Sequence, residues 1–449
     1  NAENVNLIVT KDSSNGSGGS AGGGGGSGTG SAGGGGGGGT GSANDTIYGT
    51  SLDDTISGSG TSKIDGLTGN DHFKIVSGTS IIIGISTGDS IEIKSSDGKT
   101  KVSTAASADS ITEFIANNKT INEGTITLIS NNSGSTINIE NVASSLGSFI
   151  IVGGQGRDSL TGSVGDDSIE GGTDNDVITG GAGNDTIAGG SGNDTIDGGS
   201  GADTINTGAG ADIIAIGTAG HGNSDTIDGG DDADVLQLST GAHAFADNNK
   251  LQNVETVKTH SSGSEVTLAN QTEAFAITGG DGVDIITGGD GVDTIAGGGE
   301  VDTIVGGAGN DIITGGAGND IITGGSGNDT INVDAGTDTI NDLATGDILV
   351  ISENATASAT VAVAFTATSG TVNHANNAVT KAVLATDTDG ATINITLASG
   401  AFTLTGGDGV DIITGGSGAD TINTGAGADI ITIGTAGHGN SDTIDGGDD

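Results

Sequence analysis

The chain has 449 residues, 91 of them glycine, with no proline, cysteine, methionine or tryptophan, and a formal charge of −47. So acidic a chain excludes nucleic acid as a partner, because binding it requires Lys and Arg against phosphates, and it repels an anionic membrane surface unless a divalent cation intervenes. The lack of cysteine excludes a disulfide framework, and no run of about 18 apolar residues offers a membrane span.

Residues 1–15 read as an N-terminal strand, and 16–41, almost wholly Gly, Ser, Ala and Thr, as a flexible linker. Residues 42–74 carry degenerate nonapeptides with aspartate at Asp45, Asp54 and Asp71. Residues 75–152 form a β-rich insert: IEIKSSDGKTKV predicts a hairpin about Asp97-Gly98. Ser110-Ile111-Thr112-Glu113 is a capping box that predicts one short helix over 110–118. The segments TITLIS, STINIE and SFIIVGG then return to strand.

From Gly153 to residue 238 the chain falls into nines, as in GGAGNDTIA and GGSGNDTID. The sixth place is aspartate throughout (Asp158, Asp167, Asp176, Asp185, Asp194, Asp203, Asp212, then Asp225 and Asp234 after a four-residue insertion), and the eighth is Leu or Ile. Residues 239–278 read as β-rich connecting coils. A second run over 279–351 carries Asp284, Asp293, Asp302, Asp311, Asp320, Asp329, Asp338 and Asp347, and a β-rich insert follows over 352–405. A third run, 406–449, carries Asp411, Asp420, Asp429 and Asp442. The segments between runs are expected either to continue the stack without metal or to bulge out as small β-domains. Residues 198–232 and 415–449 match except at Ala215 against Thr432, an echo expected of a piece of a longer tandem array.

GGxGxD is a turn and xUx, where U is a large aliphatic residue, a short strand. Glycine at the first, second and fourth places admits left-handed backbone and lets carbonyls approach an ion, and each inward Ile or Leu contributes roughly 2–3 kcal/mol of burial. Coiling stacks the aspartates in columns, where like charges repel. A hard divalent cation with oxygen ligands removes that penalty, and calcium accepts mixed carboxylate and carbonyl ligands more readily than magnesium. Roughly 15–20 such ions would cancel most of the net charge. Glycine-rich turns lose much entropy for few contacts, so ion binding and folding are expected to be one event.

With more than twenty such copies in register, the sequence resembles the RTX (repeats-in-toxin) family. The resemblance implies an all-β fold, a parallel β-roll or β-helix solenoid of calcium-binding nonapeptides with interspersed non-repeat β segments. It implies multiple Ca²⁺ ions held by the sixth-place aspartates, and secretion by a type I exporter through an uncleaved C-terminal signal. GSVGDDSIE, TGAGADIIA and VDAGTDTIN depart at the glycines, which weakens the expectation of calcium at their turns.

No enzyme constellation is found. No histidine lies in an HExxH motif, and the GxSxG match at Gly18-Gly19-Ser20-Ala21-Gly22 sits in a glycine tract without strand or helix. Gly98-Lys99-Thr100 lacks the first glycine of a P-loop. Asp387-Thr388-Asp389-Gly390 begins like an EF-hand, but Ala391 and the missing Glu leave a turn. His221 and His438 stand alone in their insertions. The expectation is a calcium-dependent structural protein of a bacterial cell surface, a surface layer or filament. It would self-assemble into a sheet or filament, with a cell-surface polysaccharide as candidate anchor. The alternatives are a large repeat adhesin or the calcium-binding tail of a secreted enzyme or toxin.

Overall fold

A computed structural model describes short strands within residues 1–54 and most of 55–217, 224–433 and 442–447; the longer stretches outside the description are 11–37, 94–104, 374–381 and 387–390. Most of the 16–41 tract, Asp45, Asp54, the Asp97-Gly98 hairpin, His221, His438 and the Asp387–Gly390 turn therefore lie outside the described residues. The described residues form strands and turns without a helix, in two compact units: residues 1–215 with 224–232, and 216–223 with 233–449. Each is a parallel β-solenoid. The one antiparallel pair among the described strands is Val9–Thr10 against Thr46–Tyr48.

The nonapeptide dictates the coil. Alternation places the seventh and ninth residues outside and the eighth inside, as a strand's period of two requires. Two nonapeptides, one per wall, close an 18-residue turn. In the first unit Ser168–Thr173, Thr186–Ser191 and Thr204–Ala209 stack on one wall and Val177–Ala182 and Thr195–Ser200 on the other. The eighth-place Ile169, Ile187 and Ile205 stack in register and are at most 2 % exposed. In the second unit Ile295, Ile313 and Ile331 do the same on one wall and Ile286, Ile304, Ile322 and Ile340 on the other.

The inserts continue the stack with larger coils. Glu113–Ile115, Ile121–Asn122 and Thr125–Ser130 are three walls of one coil, and each pairs in parallel with a strand 23 residues on: Thr136–Asn138, Ser144–Ser145 and Ser148–Gln155. In the second unit Ile348–Ile351, Thr356–Val361 and Ala364–Thr366 open a similar three-walled coil. None of the seven phenylalanines lies in the three repeat runs. Phe114, Phe149, Phe365 and Phe402 are buried where the wider coils need larger side chains.

The helix expected over 110–118 is not formed; Ala105–Ile111 and Glu113–Ile115 are strands. The capping box is present in sequence, but Ile111 and Phe114 both point into the core and Phe114 pairs with Ile137. A single helical turn carries a nucleation cost that neighbouring packing must offset, and here the ladder uses those backbone groups instead.

Candidate metal columns

Between the walls lie the GGxGxD turns, which stack along each side of the roll. Their sixth-place aspartates are buried: Asp158, Asp167, Asp176, Asp185, Asp194, Asp203, Asp212, Asp225, Asp234, Asp284, Asp293, Asp302, Asp311, Asp320, Asp329, Asp338, Asp411 and Asp420 are all at most 4 % exposed. Asp429 and Asp442 are half-buried. Along each run the backbone N–H of one aspartate donates to the Oδ1 of the aspartate one coil on. This links Asp158, Asp176, Asp194 and Asp212 in one column and Asp167, Asp185, Asp203 and Asp225 in another, at 2.7 to 2.9 Å. In the second unit the columns are Asp284–Asp302–Asp320–Asp338 and Asp293–Asp311–Asp329–Asp347, at 2.8 to 3.1 Å, with Asp411–Asp429 and Asp420–Asp442 at 2.9 Å. The Asp234 N–H donates to Glu255 Oε2 at 2.8 Å.

The second carboxylate oxygen differs. In Asp158, Asp176, Asp185, Asp194, Asp302 and Asp311 Oδ2 is buried without a hydrogen bond. Unpaired buried polar atoms are rare enough to need a cause. Beside Asp176 Oδ2 lies the first-place Gly171, where an added Cβ would meet that oxygen at 2.6 Å and the Gly189 carbonyl of the next coil at 2.5 Å. Glycine thus leaves a cradle in which a carboxylate oxygen and a backbone carbonyl converge. The same arrangement surrounds Gly180 with Asp185 and Gly297 with Asp302.

Charge points the same way. Burial, and to a lesser degree the neighbouring aspartates, pushes Asp176, Asp185 and Asp338 up to about 7, and Asp302 and Asp311 up to about 6. Ionised at neutral pH without a counter-ion, they oppose folding. A hard cation fits the donor set of one carboxylate oxygen per turn plus backbone carbonyls. Among the described residues no group of three or more His, Cys, Asp or Glu side chains is placed to hold a metal by side chains alone.

Sequence reading missed three contributors. Asp89 accepts the Asp71 N–H at 2.7 Å, so GISTGDSIE is a degenerate repeat inside the first insert; the 18-residue spacing from Asp71 was the available signal. Fifth-place asparagines build an outer ladder in the opposite sense: Asn193 N–H donates to Asn175 Oδ1, and Ala202 N–H to Asn184 Oδ1. Thr207, at the first place of TGAGADIIA, puts a side chain where other turns have glycine, and its hydroxyl donates to the Gly229 carbonyl.

Comparison with family models finds the RTX calcium-binding nonapeptide repeat at residues 150–178, 179–214, 219–242, 278–313, 305–340 and 403–434. Comparison with curated proteins gives no match.

Proposed function

From a chain that carries RTX calcium-binding nonapeptide repeats in several copies, repeats that bind Ca²⁺ at multiple sites and are typical of proteins secreted by type I systems, we propose a calcium-dependent structural protein of a bacterial cell surface. It folds after secretion and packs with copies of itself into a sheet or filament. The observation that carries this reading is the set of stacked, buried carboxylates with an unbonded oxygen: most of each repeat unit is devoted to an ion column and its walls. Asp176 Oδ2 with the Gly189 carbonyl, and their equivalents up each column, would hold the ions. The bound Ca²⁺ would supply the positive charge that lets the coils close.

Lateral association is supported by the outer faces of the second unit. Val283, Val292, Val301 and Val410 replace the fifth-place asparagine and are 45 to 59 % exposed, and the seventh-place Ile285, Ile312 and Ile321 are 41 to 46 % exposed. Apolar columns on a roll this acidic suit contact with a like surface once calcium has lowered the repulsion. The test is sedimentation and negative-stain microscopy of the protein with calcium and with chelator. Extended assemblies that form with calcium and dissolve in EGTA support the reading; a calcium-loaded monomer at high concentration contradicts it.

A further inference from the structure

Two turn conformations recur along the runs. At Asp176, Asp185, Asp194, Asp302, Asp311 and Asp320 the second-place glycine is left-handed, with φ of 102 to 117°, and Oδ2 has no hydrogen bond. The preceding strand runs for six residues through the glycines, as in Thr186–Ser191 and Thr303–Ala308.

At Asp167, Asp284, Asp293, Asp411 and Asp420 the second-place residue is not left-handed. Its N–H donates to Oδ2 of the same turn: Ser163 at 2.7 Å, Gly280 at 2.9 Å, Gly289 at 2.8 Å, Gly407 at 2.9 Å and Gly416 at 2.9 Å. The strand before each stops after three residues, as in Ser159–Thr161, Ile285–Thr287 and Ile412–Thr414.

What these five share is the neighbour beneath. Their Oδ1 atoms accept N–H groups from Phe149, Ser264, Phe275, Ala391 and Phe402, all in coils without the motif. Between open turns the second-place glycines pair with one another, Gly172 with Gly190 and Gly298 with Gly316. Beneath these five turns no such glycine is present, and the peptide turns its N–H onto the carboxylate; Asp158, which rests on Ser135 of such a coil, keeps Gly154 left-handed and its turn open. That satisfies Oδ2 and sets the positive end of a peptide dipole where a cation would have to approach.

Resting on the calcium reading of the columns, we propose that these five closed turns hold no ion and act as caps. The ion columns above them start one coil later, at Asp185 above Asp167, at Asp302 and Asp311 above Asp284 and Asp293, and at Asp429 and Asp442 above Asp411 and Asp420. The caps then form without calcium, on coils already packed around phenylalanine, and give each run a preformed surface on which ion-dependent turns add.

The experiment counts ions by equilibrium dialysis of the full chain in millimolar calcium. The paired variant D284N/D293N keeps the wild-type count, while D302N/D311N loses about one ion per substitution. Equal losses in the two pairs overturn the proposal. Should either pair fail to fold by circular dichroism, crystals of the wild-type chain grown with calcium decide the matter. Ion density beside Asp302 and Asp311 but not beside Asp284 and Asp293 supports the caps, and an ion coordinated by Asp284 or Asp293 overturns them. A wild-type chain that binds no calcium at all would instead overturn the calcium reading, and the caps with it.

Discussion

A sixth-place aspartate in an open turn has one oxygen held by a peptide N–H and the other aimed at a neighbouring carbonyl, both out of water. Its pKa in the ion-free roll stands above the value near 3.9 of an unfolded aspartate, up to about 7 at Asp185 and Asp338 and about 6 at Asp194. The folded state then binds more protons than the unfolded one between these values, so stability without calcium falls as pH rises from about 4 to about 7. In chelator, the far-UV β signal is expected to grow as the buffer is taken from pH 8 to 5. With calcium present the dependence reverses, because protons compete for the ligands and affinity drops on acidification. A β signal in chelator that weakens on mild acidification would contradict the assignment. Gly171→Ala tests the cradle: its methyl would meet both the Gly189 carbonyl and Asp176 Oδ2. It is expected to abolish the ion at that turn, read as a lower bound-calcium count, where a change on the outward, half-buried side of the strand such as Ala188→Ser leaves the count unchanged.

Coils divide into two kinds that differ in what holds them. Repeat coils have small aliphatic interiors and ion columns; insert coils have three walls and phenylalanine cores. Phe149→Ala is expected to destabilise its coil by about 3–5 kcal/mol, lowering the melting temperature in chelator as well as in calcium. Ile304→Ala, in a repeat coil, is expected to cost about 2–5 kcal/mol, read as a raised calcium midpoint for folding. If Phe149→Ala altered only the calcium-loaded melting, the division would be wrong. This division also marks how far the sequence could be read. Aspartate and Ile or Leu at fixed places of a nine-residue frame announce both the ion column and the inward ladder, since both repeat with the coil. The inserts repeat only by wall and register, so Ser110-Ile111-Thr112-Glu113 read locally as a helix start while Phe114 and Ile137 placed it in a strand. The closed turns were unreadable for a related reason: GGDGVD at 279–284 and 288–293 carries the full glycine pattern, and nothing within the nonapeptide marks its second-place N–H as turned onto the carboxylate.

Across the whole chain, a charge of −47 and columns of buried carboxylates oppose compaction until cations arrive, while the insert coils over 113–152 carry no such column among the described residues. A partly ordered chain is therefore expected in chelator, with insert coils formed and repeat runs open, and a fully coiled one in calcium. Magnesium should substitute poorly, because it demands near-octahedral geometry and sheds water reluctantly. The most direct measurement is a calcium titration of the full chain followed by circular dichroism together with hydrogen exchange resolved by peptide. Protection across 168–212 and 294–340 is predicted to appear with a midpoint near 10⁻⁴–10⁻³ M calcium, in the range of extracellular modules, and to vanish with EGTA, while 125–152 stays protected throughout. Repeat runs equally protected in chelator and in calcium would contradict the claim that ion binding and folding of the roll are one event.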